Sequence, residues 1–335
     1  MEALTAQKGA SKARFAPRQA RVTTTARLHF GFLDPSGRGK QPFGSFGLAL
    51  DRPKTRLTLT PARTFQVSGP ERERALRYLK TIAESSGIDA AYKLHIEEAI
   101  PPHAGLGSGT QLALAIGSAF AALEGLRLEP QEIAARLGRG ARSGIGVATF
   151  AQGGVVLDSG PRNNGLPELV ARLPFPAEWR ALLIFDREAS GLAGASEAAA
   201  FESLPDFPEA EIAELRRRVT KAALPALAKG DFESFCEPIG DLQARMGSYF
   251  APLQGGPYTS PRVSAAVAWL RRQGLTGLGQ SSWGPTGFAV VASEAEGKDL
   301  LTRLRAEMGE QGLKFDLAKG RNEGAKIETG AGKIR

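Results

Sequence analysis

An α+β fold in two lobes is predicted by three observations along this 335-residue chain. Period-2 segments dominate up to about residue 160, and helical spacing dominates after about Pro167. A strand, a glycine-rich loop and an apolar helix follow one another without interruption between Ala91 and Leu123. Strand character then returns late, at Gly287–Ala292, as expected when helices cover a mostly antiparallel sheet. The expected division is a basic flexible tail over 1–21, an amino-terminal lobe over 22–166 and a carboxy-terminal α+β lobe over 167–312. A last strand and a second basic flexible tail should occupy 313–335.

The elements follow in order. In Arg21–Phe30 the apolar Val22, Ala26, Leu28 and Phe30 alternate with Thr23, Thr25, Arg27 and His29, so a strand is predicted. Arg27 and His29 then share a face, roughly 6.7 Å apart. Gly31–Gly47 is rich in glycine and proline and reads as a long loop. Strands are expected at Gly47–Leu50, Lys54–Pro61 and Ala91–Ala99, with a helix over Arg72–Ser85. After the glycine loop, Leu112, Ile116, Ala119, Phe120 and Leu123 mark a helix, and Glu132–Leu137 a shorter one. Two strands should meet at Gly153-Gly154. Trp179–Asp186 reads as a strand. Helices are expected at Ser196–Phe201, Glu209–Ala228, Phe232–Met246, Ser260–Gln273 and Glu294–Gln311.

Composition narrows the function. Hydrophobic residues are 42% and charged residues 23% of the chain, ordinary for a globular protein. No apolar run reaches the roughly 18 residues that a bilayer crossing needs, so no membrane partner is expected and the cytoplasm is the simplest compartment. The single cysteine, Cys236, excludes an internal disulfide and a multi-cysteine metal site. The net charge of +8 hints at nucleic acid. Most of that charge sits in the two tails, which leaves nucleic acid unlikely as a partner.

The segment Pro101-Pro102-His103-Ala104-Gly105-Leu106-Gly107-Ser108-Gly109-Thr110-Gln111 carries the functional reading. A helix start leaves backbone N–H groups without acceptors and gathers partial positive charge. Glycines let that backbone approach an anion closely, so the segment reads as a phosphate cradle. The P-loop alternative requires a lysine that is missing here. The dinucleotide fingerprint requires a third glycine where this chain has Thr110 or Gln111. A purely structural glycine turn is the competing reading.

Other polar clusters stand beside this loop. Arg27 offers a planar fork and His29 a titratable ring, although a solvated strand face would look the same. His103 reads equally well as a rim residue. Gly138–Gly146, with Arg139 and Arg142, is either a second anion nest or a connector. In Gly279–Pro285, Gln280, Ser281, Ser282 and Trp283 occupy a tight turn that reads as an ordered pocket wall.

Taken in order, these segments resemble the superfamily named for galacto-, homoserine, mevalonate and phosphomevalonate (GHMP) kinases. Within it, the chain resembles the non-kinase family of β-ribofuranosylaminobenzene 5′-phosphate synthases. The resemblance covers roughly residues 22–310. It rests on Ala26–Asp34, Gly105–Gln111, Arg142–Gly146, Gly153-Gly154, Gln254–Gly256 and Gly279–Pro285. It implies a two-lobed GHMP-kinase-like fold, with a ribosomal-protein-S5-like amino-terminal lobe and a ferredoxin-like carboxy-terminal lobe. Kinases of the group often carry an aspartate just after the Ser-Gly-Xaa-Gly stretch, where this chain runs Gly144-Ile145-Gly146-Val147-Ala148-Thr149 without an acid.

The resemblance implies joining 4-aminobenzoate or 4-hydroxybenzoate to phosphoribosyl diphosphate with loss of carbon dioxide and diphosphate, early in tetrahydromethanopterin biosynthesis. It also implies Mg2+ or another divalent metal, and a homodimer. A small-molecule kinase using ATP is the alternative. The expected catalytic residues are Arg27, His29, Ser282 and Trp283, with Trp283 stacked on the aryl ring. The expected substrate-binding residues are Gly105, Gly107, Ser108, Gly109, Thr110, Gln111, Arg142, Ser143, Gly144, Gly146, Gln280 and Ser281. Asp34, Asp158 and Glu197 are candidate metal contacts, and the metal ligands stay unassigned.

Overall fold

Two long strands, β1 (Gln19–Asp34) and β2 (Phe43–Ala62), form an antiparallel ribbon that both lobes share. This is a computed structural model, describing residues 19–38, 43–161, 165–191, 202–309 and 312–330. The expected loop over Gly31–Gly47 is therefore mostly strand. Phe32 and Ser45 pair across the ribbon, and bulges between Thr25 and Arg27 and between His29 and Gly31 absorb the irregular pattern.

After β3 (Gln66–Ser68) the chain enters α1 (Arg72–Ser85), β4 (Ala91–Glu98) and α2 (Ser108–Glu124). It continues through α3 (Pro130–Arg136), α4 (Ile145–Gln152), β5 (Val155–Asp158) and β6 (Leu169–Leu173). A helix, not a strand, precedes Gly153-Gly154. Ile145, Val147, Ala148 and Phe150 are buried in it, and an apolar run that short does not tell strand from helix. The carboxy-terminal lobe holds β7 (Arg180–Asp186), α5 (Glu209–Arg218), a π-helical turn (Val219–Ala223), α6 (Leu224–Lys229) and α7 (Phe232–Gln254). It ends with α8 (Pro261–Arg272), β8 (Leu278–Gln280), β9 (Thr286–Val291), α9 (Glu294–Met308), β10 (Leu313–Lys319) and β11 (Lys326–Gly330). The helix expected over Ser196–Phe201, and Glu197 with it, lies outside the described residues, as do residues 1–18.

One sheet runs β11-β1-β2-β4-β3, with β5 and β6 added beside β2, and a second runs β10-β7-β9-β8. The carboxy-terminal segment departs from the expected tail, because Lys326–Gly330 returns to pair with Gln19–Thr23. Strand β1 thus starts at Gln19, ahead of the expected Val22. Apolar residues of α1, α2 and α3 pack on one face of the first sheet. Phe30, Phe46, Phe235 and Phe288 join that sheet to the carboxy-terminal lobe, and α8 and α9 cover the second sheet. Each buried side chain of this size contributes about 1.5–3 kcal/mol. The two lobes thus share an aromatic seam, and the glycine loop lies along its edge.

Candidate active site

The loop between β4 and α2 adopts its shape for local steric reasons. Gly105 and Gly107 have φ of +77° and +79°, the left-handed region that side chains rarely enter. A Cβ on Gly105 would strike the carbonyl oxygen of Ser281. The Gly105 carbonyl accepts hydrogen bonds from the Arg27 guanidinium and, at 2.9 Å, from the Ser281 hydroxyl. Ser281 Oγ also accepts the His29 backbone N–H at 2.9 Å. The Leu106 carbonyl accepts the Arg27 N–H at 3.1 Å. Strand β1, the glycine loop and the β8–β9 turn are thereby bound into one wall.

Behind that wall lies a cavity of about 590 Å³. Arg27, Arg74, Arg139 and Arg142 line it, with His29, Phe32, Tyr78, His103, Ser282 and the backbone of Gly105–Thr110. No carboxylate lines it among the described residues. Three non-glycine residues in the described chain adopt positive φ: Glu71, His103 and Ser282. Two of them line this cavity, and Glu71 holds Arg74 at 3.0 Å. Left-handed backbone costs about 1–2 kcal/mol per residue and gathers at functional sites.

His29 is 2% exposed, and its Nε2 has no hydrogen-bond partner. Burial, and then the neighbouring Arg27 charge, push its pKa well below the ordinary imidazole value. The ring is neutral at pH 7 and packs 4.6 Å from Phe32. His29, Phe32 and Ser282 also border a narrow cleft of about 30 Å³ lined by Met246, Phe250 and Trp283.

The structure brings together Arg27, His29, Ser282, Gly105, Gly107, Ser108, Gly109, Thr110, Arg142, Ser143 and Gly146 around the large cavity. Five expected binding or catalytic residues play other parts. Gln111 is fully buried; it accepts from Thr24 Oγ1 and donates to the Gly146 carbonyl at 2.8 Å, so it ties β1, α2 and α4 together. Ser281 is fully buried in the wall. Gln280 accepts from the Thr259 N–H at 2.6 Å and donates to the Ser282 carbonyl at 3.0 Å. Trp283 does not line the large cavity; it packs edge-on against Phe250 at 4.8 Å and lines the narrow cleft.

Gly144 is the fifth. Its N–H donates at 2.8 Å to Asp158, whose carboxylate also accepts the N–H groups of Ser45 at 3.0 Å and Gly160 at 2.8 Å. The start of α4 is thus occupied by the protein's own anion. Burial raises the Asp158 pKa to about 6 despite these N–H donors. Asp34 likewise accepts from Ser36 and Gly37 inside a turn. Neither carboxylate lines the cavity. No cluster of three or more His, Cys, Asp or Glu side chains suited to a metal occurs among the described residues. The described lining therefore does not fit a protein-ligated divalent ion.

Arg74, Tyr78 and Phe32 were not among the sequence candidates, yet all three line the cavity. The i, i+4 spacing of Arg74 and Tyr78 on a helix was the available signal. Cys236 is buried and its thiol is pushed up to about 12, as a small core residue behaves.

A strand-borne Arg and neutral His stand beside a glycine-walled helix start in a cavity that no carboxylate lines among the described residues, an arrangement suited to an anionic small molecule. Residues 73–154 match the family model described as GHMP kinases N terminal domain, and residues 223–310 match GHMP kinases C terminal. The chain is 31% identical over 327 residues to a beta-ribofuranosylphenol 5'-phosphate synthase of Archaeoglobus fulgidus, covering 92% of this chain and 99% of that protein. It is 28% identical to the protein of that name from Methanothermobacter thermautotrophicus, covering 81% and 88%. This chain belongs to the beta-ribofuranosylphenol 5'-phosphate synthase family, within the GHMP kinase superfamily.

Solved structures agree on the fold. Homoserine kinase from Cytophaga hutchinsonii superposes with a TM-score of 0.66 at 17% identity, covering 98% of this chain and 100% of that one. Mevalonate diphosphate decarboxylase from Staphylococcus aureus gives 0.66 at 15% identity, covering 93% and 98%. Among the described residues no helix is long and apolar enough to cross a membrane.

Proposed function

We propose that this enzyme is a decarboxylating phosphoribosyl transferase that joins a 4-substituted benzoate to phosphoribosyl diphosphate, early in tetrahydromethanopterin synthesis. The four-arginine cavity, which no carboxylate lines among the described residues, carries this reading. It suits a substrate with two phosphate-bearing ends, and its described lining offers no carboxylate base to deprotonate a hydroxyl for phosphoryl transfer. The relatives' product is a ribosylphenol, which favours 4-hydroxybenzoate over 4-aminobenzoate.

In the proposed reaction the ring carbon bearing the carboxylate bonds to the anomeric carbon as the bond to diphosphate breaks. The carbon–carboxylate electron pair then returns to the ring as carbon dioxide leaves. Backbone N–H groups at the start of α2 and the arginines stabilise the departing charge. The neutral His29 ring accepts a hydrogen bond from the hydroxyl or amino group para to the carboxylate, and can hold its proton until aromaticity returns. Burial of His29 and Phe32 keeps water from the cationic anomeric carbon. A divalent ion would enter with the diphosphate oxygens, which magnesium prefers.

Carboxyl-labelled 4-hydroxybenzoate should release labelled carbon dioxide only when phosphoribosyl diphosphate is present. Label that stays in the acid removes the proposal.

A further inference from the structure

We infer that Arg74 and Arg139 form a clamp that seats the diphosphate, as distinct from the 5′-phosphate, over Gly109. This inference rests on the phosphoribosyl transferase reading. Arg74 comes from α1 and Arg139 from the connection between α3 and α4, yet both converge on one point. A methyl group placed on Gly109 would lie 3.0 Å from Arg139 Nη2 and 3.8 Å from Arg74 Nη1. The two guanidinium groups are therefore within about 7 Å of each other, beside a helix start that is itself positive.

Such crowding of like charge needs an explanation. Glu71 offsets Arg74 at 3.0 Å, and His103 Nε2 lies 3.4 Å from Arg74 Nη2, so this guanidinium is fixed before any ligand arrives. Arg139 has no acidic partner among the described residues; it contacts Thr110 Oγ1 at 3.5 Å, and its buried Nε makes no hydrogen bond. The first N–H groups of α2 have no side-chain cap. Two arginines and an uncapped helix start thus share one empty volume, which a glycine keeps open.

The position also selects among phosphates. The start of α4, the other candidate seat, is filled by Asp158. The strongest positive potential therefore belongs at Gly109, where the most highly charged part of the substrate, and the group that leaves with added charge, gains most. Arg142 and Ser143 remain for the 5′-phosphate.

Calorimetric titration with inorganic diphosphate and, separately, ribose 5-phosphate tests the clamp in wild type, Arg139→Met, Arg74→Met and Gly109→Ala. Gly109 lies within α2 and has no positive φ, so its alanine variant keeps the backbone. Diphosphate affinity should fall at least tenfold in Arg139→Met and Gly109→Ala, and ribose 5-phosphate affinity should stay within twofold. Unchanged diphosphate affinity in Gly109→Ala, or equal weakening of both probes, overturns the clamp. If the wild type releases no carbon dioxide yet its diphosphate binding follows the clamp variants, the transferase reading fails alone. If carbon dioxide is released and diphosphate ignores the variants, the clamp fails alone.

Discussion

Two helix starts in this molecule look alike in sequence and differ in use. Gly105–Thr110 and Arg142–Gly146 are both glycine-rich, both open a buried helix and both adjoin arginines. Before α2, the first N–H groups face a cavity whose opposite wall is cationic. Before α4, the Gly144 N–H meets a buried carboxylate that also gathers two other strand-end amides. The first start opens on the cavity, and the second is a joint in the scaffold. An anion site is defined by what stands opposite the amides as much as by the amides themselves.

Substitutions at the two starts should separate them. The largest effect is expected at Gly107, where valine would enter left-handed backbone and press on Arg27, 3.2 Å from its Cβ. Gly107→Val should lower kcat/KM for the phosphoribosyl substrate at least a hundredfold in a folded protein. A steady-state assay showing less than tenfold loss would erase the contrast. Arg27→Ala and His29→Ala should each depress turnover by more than tenfold, because both line the open site.

Asp158→Asn should act on stability instead. It leaves one acceptor oxygen where the carboxylate offers two to three amide N–H groups, and puts an NH2 donor in place of the other; thermal unfolding should reveal a loss of about 1–3 kcal/mol. The pH dependence has a definite sign. The folded pKa is raised to about 6 from an ordinary 3.8, so the stability linked to this group is full below about pH 4. That stability falls as pH rises through 6. The gap between wild type and Asp158→Asn should therefore narrow from pH 4 to pH 6 and stay constant above. A gap that widens over that range contradicts the assigned burial.

The smallest effect is expected from Gly144→Ala. Its Cβ would approach Pro167 Cβ at 3.1 Å and Asp158 Cβ at 3.3 Å, at an ordinary φ of −80°. Stability should drop by about 1 kcal/mol, and diphosphate affinity should stay within twofold by calorimetry. A tenfold weakening would turn the α4 start back into a ligand site.

Much of this was legible along the chain. Alternation from Val22 to Phe30 marked β1 and placed Arg27 and His29 on one face. The glycines ahead of Leu112 marked the open helix start. The loop expected at Gly31–Gly47 was misread because β-bulges let strands carry glycines. Gln111 stood inside the binding motif, yet its fully buried amide ties three elements together. Nothing in the spacing of Trp283 distinguished a stacking face from an edge packed on Phe250.

By itself, the sequence determined periodicity, helix starts, left-handed glycines and a strand that pairs a histidine with an arginine. Each of these follows from sterics and hydrogen bonding within a few residues. The tertiary structure alone decided which helix start is filled and which is open. Asp158 reaches Gly144 across 14 positions, and Ser281 reaches the His29 amide across 252. Contacts of that span are set by sheet register and lobe packing, which no local pattern encodes.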